Sequence, residues 1–298
     1  MPNLLAVEQS YRRYALHEQG HRPKTLKQTI RTLEKLAQFA DTNELNEINT
    51  WIIRDFLHTQ RENKGWSAKT FRIYRQCLKS YFQWAVDENW IAENPVTPIK
   101  QPPLPARLPR CLSKDQVITI LAHVQNYPWF VELQTSRNEA ILAIITYAGL
   151  RLSELINLKM TDVDFNSNWI HIVQGKNRKD RNVPLNPELK PILQRYLKAH
   201  KRLGIPSIWL LPSVRSASQL TDKNVQTIFK TISKASGIKV TPHMLRHTFG
   251  RLCVEAGINL RTIQEYMGHS DIRTTQIYTF VSPIQGQKEI SRFSLFHR

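Results

Sequence analysis

The stretch that decides the fold runs from Gly268 to Tyr278 and reads Gly-His-Ser-Asp-Ile-Arg-Thr-Thr-Gln-Ile-Tyr. It puts a tyrosine nine positions after His269, and its pattern predicts a helix over 271–281. Two upstream segments also combine an arginine with other polar residues: HMLRH at 243–247 and GLRLSEL at 149–155. The helical patterns around all three segments predict a mainly α-helical domain in this half of the chain.

The composition indicates a globular protein with a polyanionic partner. Of 298 residues, 41% are hydrophobic and 22% are charged, which allows two domains with ample cores. The net charge is +18, mostly after residue 100, and it favours nucleic acid without distinguishing DNA from RNA. Cys77, Cys111 and Cys253 lie far apart, so neither a disulfide framework nor a zinc site is expected. Without a leader or membrane span in the sequence, we expect a cytoplasmic protein and no membrane partner.

Residues 1–98 are predicted to form a helical domain. Apolar residues recur at helical spacing in four segments, 3–20, 24–40, 50–62 and 67–87, and the short connections favour antiparallel packing. Ser67 is a suitable N-cap for the last helix. Four basic residues lie away from the apolar stripe of that helix, and we expect them to face DNA: Lys69, Arg72, Arg75 and Lys79.

A proline-rich segment follows the helical domain. Six prolines lie between residues 95 and 109, which excludes a helix interior and favours extended backbone. Residues 99–110 are therefore predicted to be a linker between domains. Arg107 and Arg110 are expected to track along a phosphate backbone.

Residues 111–298 are predicted to form a second, mainly helical domain with a small β-sheet. Ser113 and Gln116 read as a capping box, and an apolar helix over 137–148 ends at Gly149. Two predicted strands pair around a basic turn at 175–180, and helices follow them. The strands are 169–173 and 181–185, and the helices are 187–203, 221–236, 242–256 and 260–267.

The three segments supply groups that suit phosphodiester cleavage without a metal ion. Such cleavage needs cations on the non-bridging oxygens, an in-line nucleophile and an acid for the departing oxygen. Arg151 and Arg246 can each hold two phosphate oxygens and stay charged. A tyrosine ester such as one on Tyr278 would conserve the bond energy for religation. Each residue alone has a commoner structural explanation, and only their conjunction favours a site.

With these arginines, histidines and the tyrosine in this order, the chain resembles the tyrosine recombinase (phage integrase) family over nearly its whole length. It is most similar to the Xer-type site-specific recombinases. The resemblance implies a two-domain clamp with a helical SAM-like core-binding domain and an α/β catalytic domain. It also implies roles for the motif residues. Arg151 and Arg246 would hold the scissile phosphate, His269 would add a hydrogen bond, and Tyr278 would be the nucleophile.

The same resemblance suggests supporting groups. His243 would act as general base for the tyrosine hydroxyl or assist the phosphate, and Glu154 would support the cluster. His247 is expected to be structural.

The family also places a lysine on a β-hairpin turn as general acid for the 5′-hydroxyl leaving group. Lys176, directly after Gly175, is the favoured candidate, and Lys179 is the alternative. A lowered lysine pKa would be needed, which nearby arginines can supply. Arg178 and Lys179 are also expected to contact DNA.

The resemblance implies a site-specific DNA recombinase acting through a 3′-phosphotyrosine. Its partners would be double-stranded DNA with paired half-sites and other subunits in a tetramer, with a second type of recombinase subunit left open. No metal, nucleotide or other cofactor is implied. The compact chain, with no room for an arm-binding module, favours Xer-like resolution of chromosome or plasmid multimers at the nucleoid. The alternatives are integrase or transposase of a mobile element, type IB topoisomerase-like relaxation, and a DNA-binding protein with a decayed site.

Overall fold

The structure, a computed structural model, consists of two compact units, Met1–Ala106 and Arg107–Arg298. It describes residues 4, 8–105, 108–173, 180–204, 206–214, 216–269 and 271–278. Helices dominate both units, and the second unit also contains a three-stranded sheet. The predicted fold class, mainly α with a small sheet, is confirmed.

In the part of the first unit that the structure describes there are four α-helices. They are α1 Glu8–Arg13, α2 Pro23–Ala40, α3 Thr50–Lys64 and α4 Ala68–Asp87. A π-helical turn, Tyr14–Glu18, extends α1, so the predicted first helix is in fact two short pieces. The predicted cap of α4 is present, since Ser67 Oγ accepts a hydrogen bond from the Thr70 backbone N–H at 3.2 Å.

The core of the first unit is aromatic and extends beyond residue 98. Tyr11, Tyr81 and Trp84 are buried together, with ring centroids 5.1 to 5.6 Å apart. Ile99 is 3% exposed and belongs to the same core. The first residue of the predicted linker therefore packs as part of this unit, because an isoleucine stabilises the fold only when it is removed from water.

The second unit contains eight α-helices and three short strands among the described residues. The helices are α5 Lys114–Asn126, α6 Glu132–Ala148, α7 Leu152–Ile156, α8 Leu189–Arg202, α9 Asp222–Ser236, α10 Pro242–Glu255, α11 Leu260–Met267 and α12 Arg273–Gln276. The strands are β1 Val163–Asp164, β2 Trp169–Ile172 and β3 Arg181–Pro184, and a 3₁₀ turn, Met160–Asp162, precedes β1. The predicted capping box of α5 is present, formed by Ser113 and Gln116.

The strands form an antiparallel sheet in the order β1-β2-β3. Ile170 of β2 lies opposite Val183 of β3 and Val163 of β1. These three apolar side chains are buried on one face, which fixes the register. β1 was not predicted, because two residues are too few to show a period of two.

Helix α6 lies at the centre of the second unit. Ala140–Ile145 is completely buried, and α5, α8 and α10 pack around the helix. The helix ends at Gly149, whose φ of +63° reverses the chain toward α7. This turn sets the position of Arg151. Among the helices that the structure describes, none has the length and apolar character needed to cross a bilayer.

Candidate active site

The three segments singled out in the sequence converge on one cleft of about 760 Å³ in the second unit. Its lining combines the polar residues of these segments with one face of α9. From the segments come Arg151, His243, Arg246, His247 and His269, and from α9 come Asp222, Gln226 and Lys230. The cleft therefore has basic and imidazole groups on one side and a mixed polar helix face on another.

Arg151 is held at the start of α7 by Glu154. The Arg151 backbone N–H donates to Glu154 Oε2 at 2.8 Å, and its Nη1 donates to Glu154 Oε1 at 2.7 Å. Its Nη2 donates to the Gly268 carbonyl. The arginine thus links the α6–α7 turn to the end of α11. Its guanidinium is fixed at two of its nitrogens before any ligand binds.

Glu154 is the anion around which three arginines gather. It accepts hydrogen bonds from Arg181 at 3.0 and 2.8 Å, and Arg246 Nη1 lies 3.9 Å from its Oε2. Burial by itself raises the pKa of the Glu154 carboxyl. The hydrogen bonds and charge of Arg181, together with the bonds from Arg151, outweigh burial and lower that pKa to about 2. Three guanidiniums around one carboxylate leave the cluster with excess positive charge.

Arg246 is buried in the middle of α10 and binds two other segments. Its Nη1 donates to the Gly149 carbonyl, and its Nη2 donates to the Met267 carbonyl at 2.5 Å. Burial and the charge of Arg151 lower the pKa of Arg246 to about 9, which still leaves it protonated at neutral pH. The ends of α6 and α11 are therefore joined through one charged side chain.

His269 follows a left-handed turn at the end of α11. Gly268 has a φ of +60°, and a Cβ there would lie 3.0 Å from Arg181 Nη1 and 3.2 Å from Arg151 Nη1. The His269 ring lies with its Nδ1 2.9 Å from Thr275 Oγ1. Burial, then the charges of Arg246 and Arg151, lower the pKa of His269 to about 4. A neutral ring that accepts on Nδ1 can donate from Nε2.

Tyr278 is 0% exposed and packs against the backbone of α10. A Cβ on Gly250 would lie 2.6 Å from Tyr278 Cε2, so the ring fits only because that residue is glycine. The hydroxyl lies 2.8 Å from His247 Nδ1, and His247 Nε2 lies 2.9 Å from His243 Nε2. Burial raises the pKa of the Tyr278 hydroxyl. Burial, then the neighbouring His243 and Arg246, lower the pKa of His247 to about 4.

The predicted catalytic residues in the described ranges therefore lie around one cleft: Arg151, Glu154, His243, Arg246, His269 and Tyr278. Their chemical roles stay predictions. Several other predicted residues lie outside the described residues, namely Lys176, Arg178, Lys179, Arg107 and the segment after Tyr278. The choice between Lys176 and Lys179 stays open.

The basic residues predicted to face DNA from α4 do not share one environment. Lys69 is exposed, Lys79 is half-buried, and Arg72 Nε donates to the Pro102 carbonyl at 2.8 Å. Arg75 is 6% exposed, and it donates to the carbonyls of Ile99 at 2.5 Å and Val96 at 3.2 Å. The prediction for Arg75 was wrong, because this guanidinium closes the segment after α4 onto the helix. Arg110 is exposed, as a backbone-tracking residue would be.

Two residues of the site were not anticipated from the sequence. Arg181 was seen only as a strand residue, yet it binds Glu154 and donates to the Tyr266 carbonyl at 2.7 Å. His247 was expected to be structural, yet its ring contacts the Tyr278 hydroxyl. The spacing of His243 and His247 by one helical turn was the available signal for the second residue, since positions i and i+4 share a face.

Among the residues that the structure describes, no group of three or more His, Cys, Asp or Glu side chains is arranged to hold a metal ion. The groups that the three segments place along the cleft are guanidiniums and imidazoles, which suit an anion.

Comparison with known proteins gives consistent results for both units. The phage integrase family matches residues 110–283, and the phage integrase SAM-like domain matches residues 8–101. Tyrosine recombinase XerA of Pyrococcus horikoshii is 34% identical over 231 residues, which cover 78% of this chain and 76% of that protein. Tyrosine recombinase XerC of Escherichia coli O139:H28 is 31% identical over 284 residues, covering 94% and 93% of the two chains.

A solved structure shares the fold at lower identity. It is the XerH site-specific recombinase bound to palindromic difH substrate in a post-cleavage complex. The TM-score is 0.74 at 23% identity, with 90% of this chain and 79% of that chain covered.

Proposed function

Because this chain belongs to the phage integrase family of tyrosine recombinases, we propose that it cleaves and rejoins DNA at specific sites with Tyr278 as the nucleophile. It is a DNA strand-transferring enzyme of that family. DNA as its partner is further supported by the structurally similar XerH, which was solved on its difH substrate. The proposal assigns the steps of the reaction to individual residues.

One observation carries the assignment: the Glu154-centred arginine cluster shares a cleft with His269 and lies beside the Tyr278–His247 hydrogen bond. Two of these arginines, Arg151 and Arg246, line the cleft. Cations held in fixed positions stabilise the charge that develops on a phosphate without reorganising during the reaction. An anion-binding site directly beside a buried tyrosine suits attack on a phosphodiester.

In the proposed reaction, Arg151 and Arg246 bind the non-bridging oxygens of the scissile phosphate. Each guanidinium has five N–H groups, so it can keep its carbonyl and carboxylate partners while it donates to phosphate. His269, neutral at pH 7, donates a further hydrogen bond from Nε2. Glu154 acts as a positioning residue, since it holds Arg151 and Arg181 on either side.

The covalent step joins Tyr278 Oη to phosphorus. The bond from phosphorus to the 5′ oxygen breaks, and that oxygen takes a proton. A lysine of the turn predicted from the sequence at 175–180 is proposed as the acid, with Lys176 preferred over Lys179. The 3′-phosphotyrosine keeps the energy of the broken bond, and attack by a 5′-hydroxyl reverses the step on a new partner strand.

Strand exchange requires two half-sites per duplex and two duplexes, so we propose a tetramer on DNA. An Xer-like role, resolution of chromosome or plasmid multimers, is supported by the likeness to the XerA and XerC proteins over three quarters or more of the chain. Integration or excision of a mobile element is the competing role.

The test is to recover the DNA to which the protein becomes covalently attached. Purified full-length protein is incubated with DNA that flanks its own gene and with DNA from the chromosome terminus. Proteinase-trimmed, tyrosine-linked fragments are then sequenced. Covalent attachment at a repeated inverted motif is expected, and its location separates the two biological roles. Relaxation of plasmids without any preferred site would instead indicate topoisomerase activity.

Tyr278→Phe and Tyr266→Phe form a matched pair for this test. Both remove a hydroxyl from a tyrosine of the second unit, but only Tyr278 contacts His247. We expect Tyr278→Phe to abolish the adduct while DNA binding persists, and Tyr266→Phe to retain it. An adduct of normal yield on Tyr278→Phe would overturn the nucleophile assignment.

A further inference from the structure

Helix α10 presents two histidines one turn apart between the buried tyrosine and the cleft. His247 and His243 both line the cleft, whereas Tyr278 is completely buried. The hydroxyl of Tyr278 is 2.8 Å from His247 Nδ1, and the two Nε2 atoms of the histidines are 2.9 Å apart. Both distances are within hydrogen-bonding range, so three titratable groups form one continuous chain.

We propose that His247 is a catalytic residue that accepts the proton of the Tyr278 hydroxyl and passes a proton on to His243. The inference deepens the proposed function, because it identifies the group that activates the nucleophile.

The hydrogen bonds define the protonation pattern that this relay needs. Two facing nitrogens of neutral imidazoles can bond only if one carries the proton and the other accepts. If the phenol donates to His247 Nδ1, the proton of neutral His247 is on Nε2, and His243 Nε2 is the acceptor. His243 then carries its own proton on Nδ1. In this pattern the donor and acceptor match at both hydrogen bonds of the chain.

The proton transfer balances with the covalent step. As Tyr278 Oη bonds to phosphorus, its O–H bond breaks and His247 Nδ1 takes the proton. The Nε2 proton of His247 moves to His243 Nε2, which makes His243 the imidazolium. His243 is exposed at the rim of the cleft, where water can remove its Nδ1 proton. A charge that would be costly at the half-buried His247 is thereby moved to the exposed His243.

The surroundings of His247 favour its neutral, accepting form. His243 and Arg246 flank it on α10, Tyr278 faces it from the segment after α12, and His269 lies nearby after α11. Burial and the two α10 neighbours lower its pKa to about 4. The ring is therefore free of a second proton at neutral pH, as a base must be.

A first measurement needs no DNA. Full-length protein is labelled with ¹⁵N-histidine, and His247→Asn identifies the His247 resonances. We expect an unprotonated Nδ1 and a protonated Nε2 at pH 7, and Tyr278→Phe should shift the Nδ1 resonance. A His247 that carries its proton on Nδ1 would overturn the inference, because the phenol then has no acceptor there.

A second measurement follows adduct formation in a single turnover, on the duplex recovered from the attachment experiment. His247→Asn keeps an acceptor oxygen near the position of Nδ1 but cannot take up a proton. His123→Asn is the matched control, since the ring of His123 contacts only the Thr119 carbonyl of its own helix, α5, among the contacts described. We expect His247→Asn to slow adduct formation by roughly 10²–10⁴-fold, the range for loss of a general base, and the control to react normally.

The pH profile separates proton transfer from positioning. Without its base, the variant should depend on tyrosinate, so its rate should rise about tenfold per pH unit, while the wild-type rate stays flat above pH 7. Imidazole added to His247→Ala should restore part of the rate. A normal rate for His247→Asn, or a slow rate with the wild-type pH profile and no imidazole rescue, would overturn the inference.

Failure of the proposed function gives a different result. If wild-type protein forms no adduct on any DNA, the recombinase assignment fails. The histidine resonances still report whether the Tyr278–His247–His243 chain exists. If His247→Asn does not fold, the tautomer measured in the wild-type chain decides the question.

Discussion

Replacing Glu154 with glutamine should weaken the second unit more than any other single loss of negative charge in it. The substitution keeps the size of the side chain and one acceptor oxygen, but removes the charge that faces Arg151, Arg181 and Arg246. Three guanidiniums would then repel one another with no anion between them. Removing one partner from a buried ion pair typically costs about 3–5 kcal/mol.

The pKa of Glu154 gives a second value for the stability that its charge contributes. The pKa of Glu154 falls from its usual 4.5 to about 2 in the fold, and the arginines outweigh the cost of burial. A difference of this size corresponds to roughly 3 kcal/mol of stability contributed by the ionised carboxylate. For a unit of this size, the expected decrease in melting temperature at pH 7 is roughly 6–12 °C.

The assay is calorimetry of wild type, Glu154→Gln and Glu139→Gln. Glu139 is also buried, but it pairs with Arg195, whose side chain is 55% exposed. Removing the charge of Glu139 should therefore cost less stability, about 1 kcal/mol. Folding depresses the pKa of Glu154. Its contribution is therefore complete above pH 4.5 and disappears as pH falls through about 2. The difference in melting temperature between wild type and Glu154→Gln should therefore decrease as the pH falls from 4.5 to about 2. The reasoning would be refuted if Glu154→Gln and Glu139→Gln lowered the melting temperature equally, or if the effect of Glu154→Gln did not change with pH.

Three further outcomes are expected. Gly250→Ala should slow adduct formation without weakening DNA binding, because the added Cβ would lie 2.6 Å from the Tyr278 ring and displace it. A normal rate of adduct formation in a single turnover would contradict this prediction. Acid should destabilise the fold between about pH 6.5 and 4, because burial lowers the pKa of His247 and of His269 to about 4. The stability that depends on neutral rings is then complete only above about pH 6.5. Urea unfolding at stepped pH measures the free energy of unfolding, and a value that does not change over this range would contradict the prediction. Arg75→Met should destabilise the first unit by about 2 kcal/mol or more, because the buried backbone carbonyls that Arg75 binds lose their donor. Chemical unfolding measures this loss of stability. A loss of DNA affinity with unchanged stability would instead show that Arg75 faces DNA.

The sequence by itself determined the longer helices and the identity of the motif residues. Helical periodicity, the Ser67 cap and the Ser113 capping box depend on residues a few positions apart, so they can be read locally. The strand pair also follows from local alternation and a turn between the strands. Arg151, Arg246 and Tyr278 were recognisable because their order and context match a family.

Only the tertiary structure decided what these residues touch. Arg181 meets Glu154 across 27 positions, and the Tyr278 hydroxyl meets His247 across 31. Arg75 was misread because its position on α4 gave no sign that the later segment 96–99 would cover it. The contacts of the site form when α6, α10 and α11 pack, and those of Arg75 form when the segment after α4 folds onto that helix. No local sequence pattern encodes which distant carbonyl or ring will contact a given side chain. The physical reason is that propensity acts within a few residues, whereas burial and charge pairing act between whole elements.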